Sequence, residues 1–235
     1  TKQRIIDLND RNSRIVILPC NYKQRIQNIL CAENRRKEMF SSLINIEEYF
    51  DNHFTWETKL AKDLKNIVIK ETKVDTVLTK SNLPIAGYSI NPYVGCPFGC
   101  KYCYATFMKR FTGHQEDWGM FLDVKMWDKI KNPEKYKGKT MIVGSVTDGY
   151  NYFESKYKRT RAFLEEMQGS EINLIITTKS NLVTRDIDLI KTYPNPLVAW
   201  SINTLDEDFK NDMDIAPSIK SRIKKKKKVH EAGIR

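Results

Sequence analysis

The chain has 235 residues and lacks any long hydrophobic run, which argues against a membrane protein. No apolar stretch approaches the ~18 residues that a membrane-spanning helix needs. The first residues, Thr1 to Asp7, also lack the apolar segment of a secretory signal peptide. We therefore expect an intracellular protein of the cytoplasm with no membrane partner.

Cysteine is scarce and unevenly placed. The chain has five cysteines, an odd number, and three of them fall within eight residues, which is poor material for a disulfide framework. Cys20 and Cys31 lie far upstream and are predicted to be small buried hydrophobic residues. The other three follow the spacing C-x3-C-x2-C: Cys96, Cys100 and Cys103. Such a cluster indicates that the thiolates bind a metal group.

Three cysteines are one ligand short of a closed tetrahedral site, so one coordination position is left open. A zinc site completed by His114 is one alternative, although zinc ribbons usually use paired C-x2-C knuckles. A [4Fe–4S] cluster held by three thiolates fits the spacing better, because its fourth iron can take an outside ligand. Gly95 and Gly99 allow the tight backbone that such a loop requires.

The second half of the chain alternates strand and helix patterns. Four segments have strand composition: residues 88–93, 141–146, 174–178 and 197–202. Helical patterns cover residues 160–168, 183–192 and 218–232. This alternation predicts an α/β fold with a parallel sheet or barrel over residues 71–235. Residues 1–70 are predicted to be a separate, mainly helical extension of unknown function, and they carry no chemical motif.

Polar residues follow the ends of the predicted strands. In parallel α/β folds the carboxyl ends of the strands meet at one edge, which holds the active site. We therefore expect these residues to face one mouth together with the cysteine loop: Ser145, Thr147, Asp148, Thr177, Lys179, Ser180, Ser201 and Asn203.

The cysteine motif, with Tyr102 before its last cysteine, resembles the signature of radical S-adenosylmethionine (SAM) enzymes. Further segments resemble, in the same order, the spore photoproduct lyase-like branch of that superfamily, and the resemblance covers roughly residues 75–235. Its segments are residues 91–96, 102–105, 144–148, 178–180, 184–190, 201–206 and 231–234.

This resemblance implies the fold and the cofactors. The fold would be a partial (β/α) radical SAM barrel, incomplete at the C-terminus, because four strands are recognised where the superfamily usually has six units. The cofactors would be a [4Fe–4S] cluster and SAM, with SAM on the open iron. An electron donor of the flavodoxin or ferredoxin type would be a partner.

The resemblance also implies roles for single residues. The cluster ligands would be Cys96, Cys100 and Cys103. The residues that bind SAM would be Tyr102 at the adenine, Ser145, Thr147 and Asp148 along the strand end that approaches the methionine moiety, Lys179 near the carboxylate and ribose, and Ser201 and Asn203 at the ribose. No catalytic residue beyond these is assigned.

The implied activity is reductive cleavage of SAM to a 5′-deoxyadenosyl radical that abstracts hydrogen from a substrate. Nucleic acid, in repair or modification, is the first substrate hypothesis. The alternatives are a peptide- or protein-modifying enzyme that works with a partner protein, and a non-catalytic iron–sulfur or zinc regulatory protein. Ser145 stands near the position of the cysteine that returns hydrogen in photoproduct lyase. Because a serine is a poor hydrogen-atom donor, dedicated thymine-dimer repair is not expected.

Positive charge is concentrated in two places. The formal net charge is +11, and the run Lys224–Lys228 dominates the last 21 residues. This run is either a solvated helix face or a surface for phosphates. The insert between Phe107 and Trp127 holds Lys109 and Arg110 beside aromatic residues, together with His114. It is interpreted either as a clamp for a phosphate and a base or as a helix over the cluster with its rings in the core.

Overall fold

The structure is a computed structural model that describes residues 64–235. The predictions for the N-terminal extension up to residue 63, including those for Cys20 and Cys31, lie outside the described residues. The predicted boundary at residue 70, between the N-terminal extension and the α/β fold, stays a prediction.

Eight strands and five α-helices follow one another along the described part of the chain. The strands are β1 (Val68–Lys73), β2 (Leu78–Lys80), β3 (Tyr88–Ile90), β4 (Tyr93–Val94), β5 (Phe121–Met126), β6 (Thr140–Val143), β7 (Asn173–Thr178) and β8 (Leu197–Trp200). The α-helices are α1 (Glu154–Tyr157), α2 (Arg159–Glu166), α3 (Ile187–Ile190), α4 (Glu207–Met213) and α5 (Ile219–Glu231). Three 3-10 helices cover Tyr104–Phe111, Pro133–Tyr136 and Leu182–Asp186. None of these helices is long and apolar enough to cross a membrane.

The larger sheet has the order β2-β3-β6-β7-β8. The last four strands are parallel, and β2 pairs antiparallel with β3 at the edge. The four parallel strands are those predicted, and the α/β class is confirmed. The strand predicted to run to Val146 ends at Val143, because Gly144 adopts φ +92 and a Cβ there would lie 2.4 Å from the carbonyl oxygen of Thr177. Ser145 therefore lies in the loop after β6.

The core lies between this sheet and the helices that follow its strands. Leu174 and Ile176 of β7 are fully buried, as are Phe163 and Leu164 of α2. Each such side chain contributes about 1.5–3 kcal/mol when it leaves water. The opposite face of β7 is only half-buried, so the sheet turns one closed face to the helices and one more open face to the interior of the partial barrel.

A second sheet has the order β1-β5-β4, and the sequence did not predict it. β5 pairs parallel with β1 and antiparallel with β4. The insert after the cysteines thus forms a short 3-10 helix and a buried strand. The alternative prediction of a helix that covers the cluster with its rings in the core is wrong. Its aromatic residues divide into two groups: Phe121 and Trp127 are buried, whereas Phe107 and Phe111 are exposed.

Candidate functional site

The cysteine loop leaves β4 through Gly95, whose backbone has φ +84. A Cβ at this position would lie 2.3 Å from the carbonyl oxygen of Phe121, so only glycine fits the turn. Thr147 donates a hydrogen bond of 2.6 Å to the carbonyl of Gly95. Cys96 is 8% exposed, and burial raises the pKa of its thiol. The first cysteine is therefore fixed by a backbone turn that the polar strand end of β6 supports.

The loop is also fastened to the segment between α4 and α5. The amide of Lys101 donates to the carbonyl of Met213 at 2.9 Å, and the amide of Ile215 donates to the carbonyl of Phe98 at 3.1 Å. The Tyr152 hydroxyl donates to the carbonyl of Ile215 at 2.5 Å. A segment more than a hundred residues away along the chain thus sets the position of the loop.

Lys179 contacts two other predicted site residues, Cys100 and Tyr102. It follows β7, and its Nζ lies 3.0 Å from Sγ of Cys100 and 4.8 Å from the centre of the Tyr102 ring. Burial by itself lowers the pKa of Lys179, but the thiol, the tyrosine and a nearby carboxylate outweigh burial and raise it. Lys179 is therefore a cation held at the cysteine loop. The structure brings Cys100, Tyr102 and Lys179 together from two separate segments.

The nearby carboxylate belongs to Asp214, a fully buried residue that the sequence did not single out. It accepts hydrogen bonds from the Tyr102 hydroxyl at 3.0 Å and from the Ala216 amide at 3.1 Å. It also pairs with Arg222 at 3.3 Å, Lys210 at 3.6 Å and Lys179 at 3.9 Å, and it lies 3.9 Å from Sγ of Cys100. No motif surrounds Asp214 in the sequence, so only the folded chain reveals its place.

Asp148 is buried and uses both carboxylate oxygens on the framework. One oxygen accepts from the Thr178 hydroxyl at 2.8 Å and from the Tyr150 amide at 2.9 Å, and the other accepts from the Lys179 amide at 2.7 Å. Burial raises the pKa of Asp148, and these hydrogen bonds oppose the rise. This predicted SAM-binding residue thus accepts hydrogen bonds from Thr178 and Lys179 and fixes the C-terminal end of β7.

Ser145 belongs to a small polar cluster at the mouth. Its hydroxyl shares a hydrogen bond with that of Ser89, and the Asn91 amide group donates to it at 3.0 Å. The Tyr104 hydroxyl donates to the backbone carbonyl of Ser145. Ser89 and Asn91 belong to β3 and the turn after it, so the strand before the cysteine loop also supplies polar groups that the sequence reading overlooked.

Ser201 and Asn203 follow β8 and are exposed. The backbone carbonyl of Ser201 accepts a 3.0 Å hydrogen bond from Arg222, the cation that also contacts Asp214. The ends of β6, β7 and β8 and the cysteine loop are therefore linked by one set of polar contacts, as expected for one mouth.

The side chains at this mouth suit a sulfur-rich anionic group. The donors are three thiols in one loop, with the Lys179 ammonium beside Cys100. The ring of Trp118 packs against the hydrophobic cluster that contains Cys96 and Phe98. Its buried Nε1–H has no hydrogen-bond acceptor among the described residues. An N–H group and a cation are the outer contacts that stabilise thiolate-bound clusters.

A single zinc ion fits less well. Within residues 64–235, no group of three or more His, Cys, Asp or Glu side chains is placed to hold one metal ion. His114, the proposed fourth zinc ligand, instead pairs with Asp123 at 2.8 Å and Glu116 at 3.0 Å. A [4Fe–4S] cluster differs from zinc because each thiolate binds a different iron. The described residues therefore do not form the alternative zinc site in which His114 is the fourth ligand.

Comparison with known proteins gives relatives that match more than two thirds of this chain. An uncharacterized protein of Methanocaldococcus jannaschii is 37% identical over 172 residues, which are 72% of this chain and 65% of that protein. An uncharacterized protein of the Acidianus two-tailed virus is 31% identical over 209 residues, which are 78% of this chain and 69% of that protein.

Solved structures of spore photoproduct lyase share the fold. A mutant with a dinucleoside spore photoproduct aligns with a TM-score of 0.53 and 18% identity, covering 71% of this chain and 48% of the lyase. Another mutant, with bound AdoMet and the same dinucleoside, aligns with a TM-score of 0.52 and 17% identity. This chain thus spans about half the length of those lyase chains.

The profile of the radical SAM superfamily matches residues 90–235, more than half of the chain. The matched region begins at the end of β3 and contains the three cysteines and the ends of β6, β7 and β8. The chain therefore belongs to the radical SAM superfamily, whose cofactors are a [4Fe–4S] cluster and SAM.

Proposed function

We propose that this protein cleaves SAM reductively and that the radical takes a hydrogen atom from a nucleic-acid substrate bound at the mouth. The observation that supports this most is the position of Lys179, with its Nζ 3.0 Å from Cys100 Sγ. When bound, the cluster and SAM supply one-electron cleavage of the sulfonium to methionine and a 5′-deoxyadenosyl radical.

In this proposal Cys96, Cys100 and Cys103 hold the cluster, and Lys179 provides the positive charge for both a thiolate and the SAM carboxylate. A buried ammonium is a strong partner for a carboxylate because water does not screen it. Asp214 also faces the ammonium, 3.9 Å away, and lies 3.9 Å from Sγ of Cys100. The ammonium, the thiol and the carboxylate therefore form one close group at the cysteine loop.

The remaining predicted contacts are proposed to surround SAM. Tyr102 would meet the adenine through its backbone, and Ser145 and Thr147 would approach the methionine moiety. Ser201 and Asn203 are exposed at the same mouth, as side chains that reach a ribose must be. Asp148 would act through Lys179, whose backbone amide it holds at 2.7 Å.

A nucleic-acid substrate is supported by charge and by the fold. The chain carries a formal net charge of +11, which favours a polyanion. Two of the solved lyases that share its fold hold a dinucleoside photoproduct. Ser145 stands near the position of the cysteine that returns hydrogen in photoproduct lyase, and a hydroxyl is a poor hydrogen-atom donor, so we propose modification or another repair reaction rather than thymine-dimer reversal. A peptide substrate that requires a partner protein stays a prediction.

Members of the superfamily need an electron donor, and we propose a flavodoxin- or ferredoxin-like protein. An iron with an open position reacts readily with oxygen, so the proposed compartment is the reducing cytoplasm.

The test is anaerobic reconstitution with iron and sulfide, followed by SAM and dithionite. We expect 5′-deoxyadenosine and methionine in equal amounts. Cys100→Ala should lose the visible absorption of the cluster and the product together, because one iron loses its thiolate.

Cys31→Ala is the matched control, since it removes a cysteine outside the motif and should keep both cluster and product. A fully loaded wild-type cluster that gives no 5′-deoxyadenosine would contradict the proposed reaction. Equal loss of iron from the two variants would contradict the assignment of the ligands.

A further inference from the structure

The 3-10 helix Tyr104–Phe111, directly after Cys103, exposes three aromatic rings. The exposed fractions are 55% for Tyr104, 45% for Phe107 and 66% for Phe111. We call these three residues the aromatic face. Because each ring would gain about 1.5–3 kcal/mol on leaving water, three exposed rings on eight residues indicate a binding surface.

The same helix carries two cations. The guanidinium carbon of Arg110 lies 4.7 Å from the ring centre of Phe111 and 5.7 Å from that of Phe107. Lys109 donates to the carbonyl of Gln115 at 3.1 Å, which fixes its ammonium nearby. No acidic residue occurs from position 104 to 115. The aromatic face therefore lies beside two cations, and two of its rings, Phe107 and Phe111, flank the guanidinium of Arg110.

The aromatic face lies beside the mouth. Tyr104 directly follows the last cysteine, and its hydroxyl donates to the carbonyl of Ser145 after β6. A cavity of about 520 Å³ opens along the helix, lined by Phe107, Arg110 and His114 among others. This volume is within the range of small-ligand sites. The residues that line the cavity lie between positions 106 and 115, which begin three residues after Cys103.

We propose that the aromatic face binds a single-stranded stretch of nucleic acid, with bases stacked on Phe107 and Phe111 and phosphates on Lys109 and Arg110. Aromatic rings interleaved with cations are the usual arrangement for single strands, whose base faces are free to stack. A duplex hides those faces, and an acidic peptide would use the cations without the rings. This inference rests on the proposed function, because it names the substrate class of the same site.

The lysine run Lys224–Lys228 is a poorer surface for this purpose. Helix α5 starts at the mouth, where Arg222 contacts the carbonyl of Ser201 after β8. It then returns to the opposite edge, where the carbonyl of Arg235 accepts from the amide of Val198 at the start of β8. The lysines occupy the middle of α5, residues 224–228 of 219–231, and the run itself has no aromatic residue.

The experiment measures binding of fluorescein-labelled oligonucleotides to the full chain by anisotropy, without SAM. The probes are a single-stranded thymidine 15-mer, the matching uridine RNA and a duplex of the same length. We expect both single strands to bind more tightly than the duplex. Phe107→Ala/Phe111→Ala should weaken single-strand binding about tenfold or more, since each stacked base contributes strongly.

Two variants that each lose one positive charge distinguish binding at the aromatic face from nonspecific electrostatic attraction. Arg110→Ala and Lys224→Ala each remove one positive charge, and we expect a loss of about fivefold or more for Arg110→Ala and less than about twofold for Lys224→Ala. Unchanged binding by the double phenylalanine variant, equal losses from the two charge variants, or a duplex that binds as tightly as the single strands would overturn the proposal. The wild-type SAM cleavage assay is run separately, so failure of the radical reaction and failure of the docking surface are seen independently.

Discussion

At the scale of single residues, two buried aspartates set the position of Lys179. Asp148 accepts from its backbone amide at 2.7 Å, and Asp214 faces its ammonium at 3.9 Å. Lys179 itself could be predicted, because a lysine after a β-strand end fits the superfamily pattern. Asp214 could not, because its partners come from distant segments and no local pattern marks a buried ion pair.

Asp214→Asn tests how far this carboxylate stabilises the protein. The change keeps the shape of the side chain but leaves Arg222, which is fully buried, without its counter-charge. Removal of one partner from a buried pair typically costs about 3–5 kcal/mol. We expect the free energy of unfolding, measured with urea under reducing conditions, to fall by about 3 kcal/mol.

Asp212→Asn is the control, two residues earlier in the chain. Asp212 pairs with Lys101 at 2.7 Å, but its side chain is 64% exposed. Exposed pairs contribute about 0–1 kcal/mol, so the effect should be small. Similar shifts for the two variants would mean that burial does not distinguish the two carboxylates.

At the scale of elements, His114 fastens the segment after the 3-10 helix to β5. Its Nδ1 lies 3.0 Å from a Glu116 carboxylate oxygen and its Nε2 lies 2.8 Å from one of Asp123. The ring also stacks on Phe121 at 4.2 Å. Both nitrogens can donate only in the charged imidazolium, so this contact depends on protonation.

The pKa of His114 is raised: burial of the ring opposes the rise, but the hydrogen bonds to Asp123 and Glu116 outweigh it. A raised folded-state pKa adds stability that is complete below the unfolded value and is lost as pH rises through the folded value. The gap in unfolding free energy between wild type and His114→Gln should therefore be larger near pH ~6 than near pH ~9. Lys125 also faces Asp123, but it is present in both proteins and its effect cancels in the difference.

Urea unfolding at a series of pH values measures this gap. His230→Gln, which changes an exposed histidine near the end of α5, is the matched control. A gap for His114→Gln that stays constant or widens with rising pH would show that the charged ring does not fasten the segment.

At the scale of the whole molecule, the parallel sheet could be predicted and the second sheet could not. Strands β6, β7 and β8 are short apolar runs between helical patterns, so composition marks them. β5 could not be recognised, because Phe121–Met126 mixes apolar residues with Asp123 and Lys125 and is paired with β1, far back in the chain. The cysteine loop was predictable from spacing, whereas its fastening to residues 213–215 depends on contacts across the whole fold.

The distribution of charge over the whole molecule leads to a last prediction. If the aromatic face holds phosphates with Lys109 and Arg110 alone, the logarithm of the binding constant should fall against the logarithm of salt concentration with a slope of about −1.4, since each neutralised phosphate of a single strand contributes about −0.7. Engagement of the five lysines of Lys224–Lys228 as well would steepen the slope to about −5. Anisotropy titrations of the thymidine 15-mer over a range of salt concentrations measure this value.

Phe107→Ala/Phe111→Ala should lower the affinity at every salt concentration and leave the slope unchanged, because the rings carry no charge. A steep slope that flattens only when the lysine run is neutralised would move the nucleic-acid surface from the mouth to α5.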